Sequence, residues 1–251
     1  MFFPGPNDET RQARDFIIKY DWLKTVTQGV SHIFKATYQG NLAGIVMIGC
    51  PTTFSKMMGD DDLERLICRG ACISWSPKNL ASSLVMYAVK WMVNNTKYRF
   101  FTAYADPTAG ELGSIYQACN FRYLGGDYGS DELFTDPLDE RKKSRNGRWF
   151  KRFSVYMKYA KYLGYEWDDS WNTKTVIHWA KMPTQVVEDL KDMAKLRQLM
   201  SIKTKIPKKN KYCLLLGKNR SETRRLNKRF EELNPNRTGF DYPKVRGVWK
   251  I

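Results

Sequence analysis

The sequence contains no apolar run that could cross a membrane and no low-complexity linker. A transmembrane helix needs about 18 or more consecutive apolar residues, and no such run occurs in this chain. The first residues, MFFPGPNDETRQARDF, show no basic head followed by a long apolar stretch, so no signal peptide is predicted. We therefore expect a cytoplasmic protein without a membrane partner.

Histidine is scarce, and cysteine occurs in an odd number at irregular spacings. The chain has two histidines, His32 and His178, and five cysteines. Cys68 and Cys72 share one face of a predicted strand, because side chains alternate along a strand. This pair, in a chain with so little histidine, is a poor zinc site. We expect buried, reduced thiols.

Positive charge is abundant but unevenly distributed. Residues 1–140 carry 13 Lys/Arg against 16 Asp/Glu, a net charge of −3, whereas residues 141–251 carry 29 against 10, a net charge of +19. The first part has the composition of an ordinary globular domain. The second part favours a polyanionic partner such as nucleic acid.

The order of apolar patterns in the first part is typical of a mixed α/β layer. Segments with helical spacing follow segments with strand-like apolar runs, and packing helices on a sheet buries both kinds of apolar face. Ser76, as an N-cap, and Pro77, in the first turn, predict where the second helix begins. Gly40 and Asn41 predict a hairpin turn. The predicted helices are 14–24, 76–95 and 113–119, and the predicted strands are 30–39, 42–50, 63–75, 98–105 and 121–126.

Beyond residue 140 the sequence becomes basic and aromatic. Aromatic residues between 149 and 165 alternate with Lys and Arg, and such rings either pack in a local core or stack on exposed bases. Residues 184–200 and 220–233 have the periodicity of helices, and YCLLL at 212–216 predicts a strand. We predict a core at 1–140, a basic aromatic helical insertion at 141–205, and a C-terminal strand and basic helix at 206–251 that complete the core.

The stretch TAYADPTAGELGSIYQACNFRYLG, residues 102–125, carries the most specific pattern. Its ending, SIYQACNFRYLGG, is similar to the "LYxxxGFxxxG" ending of GCN5-related acyltransferases. The resemblance implies the GNAT fold, a mixed sheet with flanking helices that binds acetyl-CoA or a related acyl donor at an opened strand edge. It also places Tyr116 where a tyrosine protonates the leaving thiolate.

The resemblance further implies that the phosphates of the donor lie at the start of the second helix. The usual loop there is glycine-rich, whereas this helix opens SPKNLASS. Hydroxyl, amide and ammonium side-chain groups would therefore contact the phosphates here, where a glycine-rich loop would let the backbone approach them closely. The predicted cofactor-binding residues are Ser76, Lys78, Asn79, Ser82 and Ser83.

Within the same stretch, YADP followed by IYQA and NF more closely resembles the Mom-like DNA modification proteins of bacteriophages, a divergent branch of that fold. The resemblance covers residues 14–125 and the KKNKYCLLL and YPK segments. It implies an enzyme of the host cell cytoplasm that adds a small acyl-derived group, of the carbamoylmethyl type, to the exocyclic amine of adenine in double-stranded DNA, which evades restriction. It also implies that Arg69, Ser82, Asp106 and Tyr116 are catalytic.

The family resemblance also carries a suggested requirement for iron. Its members have a His-Tyr pair in the first helix, and the corresponding residues 19–23 here contain Tyr20 and Asp21 but no histidine. Asp21 offers an oxygen in place of an imidazole. The ligand spacing does not support an iron site, and the need for a metal stays open.

The basic second half supplies the predicted contacts to double-stranded DNA. Lys and Arg neutralise phosphates and release counterions, which gives affinity for any sequence. An enzyme that acts on a base commonly extrudes it from the duplex. The predicted DNA-binding residues are Lys142, Lys143, Arg145, Arg148, Lys151, Arg152, Lys208, Lys209, Lys211, Arg224 and Arg225.

Each catalytic candidate also has a structural interpretation. Asp106, before a proline, could cap a turn, and Tyr116 could be a core tyrosine. Arg69 could form a structural ion pair with an acid such as Asp106, and Ser82 could serve only helix packing. Two other functions therefore stay open: an acetyl-CoA-dependent N-acetyltransferase acting on a protein or small amine, and a non-enzymatic DNA-binding protein on the same scaffold.

Overall fold

The computed structural model describes most of the chain. It gives the backbone alone for residues 8, 9, 139–142, 144, 148 and 149. The described residues are 8–26, 29–51, 57–59, 62–136, 139–145, 148–173 and 176–244.

Strands and helices alternate in the order that the sequence predicts for the first 125 residues. The strands are β1 (Val30–Tyr38), β2 (Asn41–Gly49), β3 (Glu64–Cys72), β4 (Phe100–Ala105), β5 (Arg122–Tyr123), β6 (Glu132–Asp136), β7 (Asp139–Arg145), β8 (Asn172–Thr173), β9 (Val176–Ile177), β10 (Ile202–Lys205) and β11 (Asn210–Leu215). The helices are α1 (Asp8–Tyr20), α2 (Leu80–Asn95), α3 (Ser114–Ala118), α4 (Phe153–Tyr162), α5 (Thr184–Met200) and α6 (Arg220–Leu233). None of these described helices is long and apolar enough to span a bilayer.

The chain divides into two compact units. Met1–Tyr128 and Lys209–Ile251 form the first unit, and Gly129–Lys208 forms the second. The second unit is therefore an insertion in the first. The sequence places the start of the insertion at residue 141, whereas the compact unit also takes in residues 129–140.

The first unit is built on a six-stranded mixed sheet. Strands β1, β2 and β3 form an antiparallel meander, and β3 then pairs in parallel with β4. Strand β11 follows the second unit in the chain, yet it lies between β4 and β5 and is antiparallel to both. The order across the sheet is β1-β2-β3-β4-β11-β5. The C-terminal segment thus contributes a central strand to this sheet.

The parallel pair of strands separates toward its C-terminal end. The last paired residues are Ile67 and Ala103, but β3 continues to Cys72 and β4 continues to Ala105. Beyond the last pair, β3 stays bonded to β2 and β4 stays bonded to β11. An opening without direct hydrogen bonds between β3 and β4 therefore lies in the middle of the sheet.

Helix α2 covers one face of the sheet and supplies much of the main core. Leu84, Ala88 and Met92 are buried on this helix and pack with Phe34 of β1 and Phe101 of β4. The apolar side chains recur at helical spacing, which is why a helix forms here. Its burial against the strands fixes the position of the segment that precedes it.

The start of α2 differs from the prediction. The helix begins at Leu80 and not directly after Ser76, because the backbone N–H of Leu80 closes a turn on the carbonyl of Pro77 at 3.1 Å. Asn79 precedes the helix with a left-handed φ of 69°. Ser76 is therefore not the N-cap.

The hairpin turn between β1 and β2 is shifted by one residue from the prediction. Gln39 and Gly40 form the turn with φ angles of 50° and 75°, and Asn41 already belongs to β2. Positive φ at both central residues matches the twist of the two strands.

The five cysteines are free thiols, as predicted. Cys119 and Cys213 are buried, but Cys50 is exposed. Burial raises the pKa of the Cys213 thiol to about 12. This thiol therefore stays protonated and unreactive at neutral pH.

The second unit has its own core, made largely from the aromatic stretch. Tyr156, Tyr159, Trp171 and Leu190 are buried together between α4, α5 and the segment linking them. Strands β10, β6 and β7 form a three-stranded sheet in that order. Residues 141–145 lie in β7 and not in a helix, because pairing with β6 satisfies their backbone groups despite their high charge.

Phe230 attaches the basic helix α6 to the sheet of the first unit, and it provides a test of this arrangement. The side chain is fully buried, and its ring centroid is 5.6 Å from that of Phe100. Phe230→Ala should lower the free energy of unfolding by about 3–5 kcal/mol, measured by urea denaturation. Phe230→Leu retains most of the volume and should cost clearly less; equal losses would contradict a packing role.

Candidate active site

Tyr116 lies on the short helix α3 and packs between aromatic rings. Its ring centroid is 5.6 Å from that of Tyr212 and 5.5 Å from that of Phe121. Burial raises the pKa of its hydroxyl, and Glu111 and then Cys68 of β3 raise it further. The phenol therefore stays protonated at neutral pH.

Contact between Gly113 and Tyr212 fixes the position of α3. Gly113 precedes the helix with a φ of 77°, and a Cβ atom there would lie 2.4 Å from Cε2 of Tyr212. The Tyr212 hydroxyl donates to the carbonyl of Leu112 and lies 3.4 Å from Nε2 of Gln117. Only glycine combines this backbone conformation with room for the ring.

Asp106 ends β4 and caps the turn that follows it. Its Oδ1 accepts hydrogen bonds from the backbone N–H of Thr108 at 3.1 Å and from the hydroxyl of Thr108 at 2.7 Å. Its Oδ2 lies 3.4 Å from Nζ of Lys209, and the residue is only 4% exposed. This is the turn-capping arrangement that the sequence leaves open. Asp106 is therefore a fixed part of the wall of the site.

A second carboxylate, Glu111, lies beside Asp106. Its Oε2 accepts a hydrogen bond from the backbone N–H of Asp106 at 3.0 Å. Burial raises the pKa of Glu111, and the negative charges of Asp106 and Asp21 raise it further. Hydrogen bonds from the Asp106 backbone and the Trp22 side chain act in the opposite direction but do not cancel the rise.

Asp21, which follows α1, belongs to the same group of acids. Burial raises its pKa, although the hydrogen bond from the backbone N–H of Leu23 and the charge of Arg69 lower it in part. Two half-buried carboxyl groups with raised pKa values therefore lie within electrostatic reach of the Tyr116 hydroxyl.

Arg69 is held by the loop after α1. Its Nε donates to the carbonyl of Thr25 at 2.8 Å, and its Nη1 donates to the carbonyl of Cys68 at 2.6 Å. Its charge acts on Asp21, whereas Asp106 is paired with Lys209. An ion pair between Arg69 and Asp106 is thus not formed.

The N-terminus of α2 has the character of an anion site. Ser82 Oγ donates back to the carbonyl of Asn79 at 3.0 Å, and Asn79 itself provides no side-chain cap. In the described part of the chain, the backbone N–H groups of Ala81 and Ser82 have no acceptor, and the first turn carries no acid. These features fit the phosphates of a nucleotide-bearing donor. Of the other predicted cofactor-binding residues, Lys78 and Ser83 are exposed and Ser76 is half-buried.

The described side chains contain no cluster of the common metal-ligating acids, histidines and cysteines. Within the described ranges, no group of three or more His, Cys, Asp or Glu side chains is arranged to hold a metal ion. Oδ1 of Asp21 instead accepts a hydrogen bond from the backbone N–H of Leu23 at 2.8 Å. This oxygen of Asp21 is therefore engaged by the backbone.

A family model that matches most of the sequence shows which family the chain belongs to. The model of the Mom protein family matches residues 8–228, a range that contains every site residue described above. The chain belongs to the Mom protein family. Membership implies an enzyme of phage DNA modification, with DNA as its substrate. No individual curated protein matches the chain.

For a Mom-family protein, two of the predicted DNA-binding residues have unexpected positions. Lys211 is 1% exposed, with its Nζ 5.5 and 5.0 Å from the ring centroids of Tyr104 and Tyr128. Arg145 is half-buried and donates to the carbonyls of Ser130 and Pro207 at 2.7 and 3.0 Å. Neither side chain presents its charge to a phosphate, because each is occupied within its own unit.

Two of the aromatic residues that could stack on bases pack inside the second unit instead, and most of the remaining basic residues are accessible. Phe150 is 1% exposed, and Tyr165 packs on the core of the second unit and donates to Asp189, so both pack internally. The side chains of Lys142, Arg148 and Trp149 lie outside the description. Lys143, Lys151, Arg152, Arg224 and Arg225 are exposed, and Lys208 and Lys209 are half-buried.

Sequence reasoning missed Glu111, although a signal was present. Glu111 and Asp106 are the two acids of the stretch 102–125, and only Asp106 was predicted to be a site residue. Two acids close to a tyrosine are typical of sites for acid–base catalysis. Its burial beside Asp106, which distinguishes it from a solvated glutamate, depends on the tertiary structure.

Gly113→Ala tests whether the Tyr212 contact holds the site together. The added methyl would displace the Tyr212 ring, so we expect a loss of several kcal/mol beyond the about 1–2 kcal/mol cost of a left-handed non-glycine residue. Gly110→Ala is the matched control, because its φ is 71° but no atom lies within 4 Å of the added Cβ. Urea denaturation of both variants measures the difference; similar losses would contradict the steric role.

Proposed function

We propose that this protein transfers a small acyl-derived group from a thioester donor to the exocyclic amine of adenine in double-stranded DNA, thereby evading restriction. One observation carries the proposal: beside the opened β3–β4 pair, a protonated tyrosine lies close to two carboxyl groups of raised pKa. Transfer from a thioester to an amine needs a proton donor and a proton acceptor, and this group of side chains offers both.

The opened strand pair supports a donor site of the GNAT kind. Strands β3 and β4 lose their mutual hydrogen bonds after Ile67 and Ala103, which leaves backbone groups for the amides of a pantetheine chain. Because α2 follows β3 in the chain, its N-terminus lies at the same end of the sheet as the opening. The uncapped N–H groups of Ala81 and Ser82 there suit the pyrophosphate of acetyl-CoA or a related donor.

The predicted catalytic residues have distinct roles in this proposal. Tyr116 donates a proton to the leaving thiolate. Asp106 orients the site through its backbone N–H, which holds Glu111, and the charge of Arg69 partly offsets the effect of burial on the pKa of Asp21. The hydroxyl of Ser82 fastens the first turn of α2.

Helix α6 supports a DNA-binding surface on the first unit. Its exposed side carries Arg224 and Arg225, while Glu222 is turned inward to Arg99 with an Nε–Oε1 distance of 2.7 Å. This division leaves positive charge toward solvent, where it can neutralise phosphates.

Tyr116→Phe tests the reaction, because it removes only the hydroxyl. In plasmid DNA from cells expressing the variant, we expect the amount of modified adenosine to fall about 100-fold or more below the wild-type amount, measured by mass spectrometry of digested nucleosides. Asp106→Ala should also lose the modification. Tyr162→Phe, at a side chain that is 79% exposed, is the control that should match the wild type.

The same mass spectra would reveal results that contradict the proposed function. A new mass on another base would overturn the assignment to adenine, and wild-type protein that leaves every nucleoside unchanged would contradict the transferase. An active Tyr116→Phe variant would remove the tyrosine from the mechanism.

Arg224→Ala and Arg225→Ala test the DNA surface. Each should weaken binding to duplexes of any sequence and should reduce the slope of log K against log salt by about 1, because one phosphate contact is lost. Fluorescence anisotropy over a salt series measures the slope. Lys90→Ala, at an exposed position on α2, is the control, and an equal effect there would contradict a specific surface on α6.

A further inference from the structure

The two acids after β4 have different environments, and this difference bears on which of them acts as a base. Asp106 is 4% exposed, and both of its oxygens are engaged by Thr108 and Lys209. Glu111 is half-buried and is held through Oε2 by a backbone N–H. A base must reach the amine of its substrate, so Glu111 is better placed for this role.

Burial and two neighbouring carboxylates favour the protonated form of Glu111, whereas hydrogen bonds from the Asp106 backbone and the Trp22 side chain oppose this in part. The carboxylates of Asp106 and Asp21 approach it from the end of β4 and from the loop after α1. Tyr116 faces it from α3 with a hydroxyl that stays protonated. Trp22 offers its indole, which is a donor only. Like charge and burial together raise the proton affinity of a carboxylate.

The cations of the site are directed to the other two acids. Nζ of Lys209 lies 3.4 Å from Asp106, and the charge of Arg69 acts on Asp21. Glu111 is instead held by two neutral donors, the backbone N–H of Asp106 and the side chain of Trp22.

We propose that Glu111 accepts the proton of the attacking exocyclic amine, an assignment that rests on the proposed function. The amine nitrogen forms a bond to the acyl carbon of the thioester, and the carbon–sulfur bond breaks with its electron pair passing to sulfur. The proton of the nitrogen passes to Glu111, and Tyr116 gives its proton to the thiolate. Exchange with solvent then restores both side chains.

Trp22 acts as a positioning residue for this base. Its side chain is 45% exposed, and it donates toward the Glu111 carboxylate from the loop after α1. It therefore orients the carboxylate while leaving the site accessible from solvent.

Glu111→Gln is the decisive variant, since it keeps the shape and the acceptor oxygen but cannot take up the proton. Modified nucleoside in plasmid DNA should fall by about 100-fold or more, with affinity for duplex DNA unchanged. Glu132→Gln, at an exposed glutamate of the second unit, is the control that should match the wild type. In buffered extract of the expressing cells, the wild-type rate should rise with pH and then level off, and this plateau should be lost in Glu111→Gln.

The outcomes separate this assignment from the proposed function. Active wild-type protein with an equally active Glu111→Gln variant would overturn the role of Glu111 alone. Wild-type protein that modifies no nucleoside would overturn the transferase function and this assignment with it. Loss of DNA affinity in the variant would also overturn the assignment, because the residue would then serve binding.

Stability gives a measurement that does not depend on the donor. The pKa of Glu111 is raised in the folded protein, so its ionisation costs stability as the pH rises through that pKa. Glu111→Gln should therefore unfold at a higher temperature than the wild type at neutral pH. The gain should vanish in acid, below the ordinary pKa of a glutamate. A variant that is less stable than the wild type at neutral pH would contradict the unfavourable charge.

Discussion

The site depends on one steric constraint, the packing of Tyr212 over Gly113. Tyr212 belongs to β11, and its hydroxyl bonds to a residue 100 positions earlier in the chain. The ring also packs on Tyr116 and on Tyr123 of the edge strand. The tyrosine of the site is therefore held by a strand that the chain supplies only after the whole insertion. The geometry of the site therefore depends on a contact between segments that are far apart in the sequence.

The distribution of charge resolves a conflict in the chemistry. A protein with a net charge of +16 attracts DNA, yet a general base must not be neutralised by nearby cations. In the first unit, Lys209 and Arg69 are each directed to a particular acid. Glu111 is left among groups of its own sign. A cationic surface is therefore compatible with the general base that we propose at Glu111.

Local patterns predicted much of the fold, and tertiary burial decided the rest. The helices at 184–200 and 220–233 have the predicted bounds, because periodicity and capping are local properties. The burial of Lys211 could not be foreseen, since only the assembled sheet encloses it between tyrosine rings. The prediction of Ser76 as the N-cap of α2 was likewise wrong, because a turn closed by Pro77 and Leu80 precedes the helix. Glu111 was visible as an acid but not as a buried one.

The two residues that flank the insertion, Tyr128 and Lys209, lie next to each other in the first unit. Tyr128 and Lys209 exchange backbone hydrogen bonds of 3.3 and 2.7 Å at the point where the chain leaves and returns. A segment that starts and ends at one such neck can be lengthened, shortened or replaced without altering the register of β11. The second unit can thus change in length or sequence as one block, while the strand that holds Tyr212 over Gly113 keeps its place in the sheet.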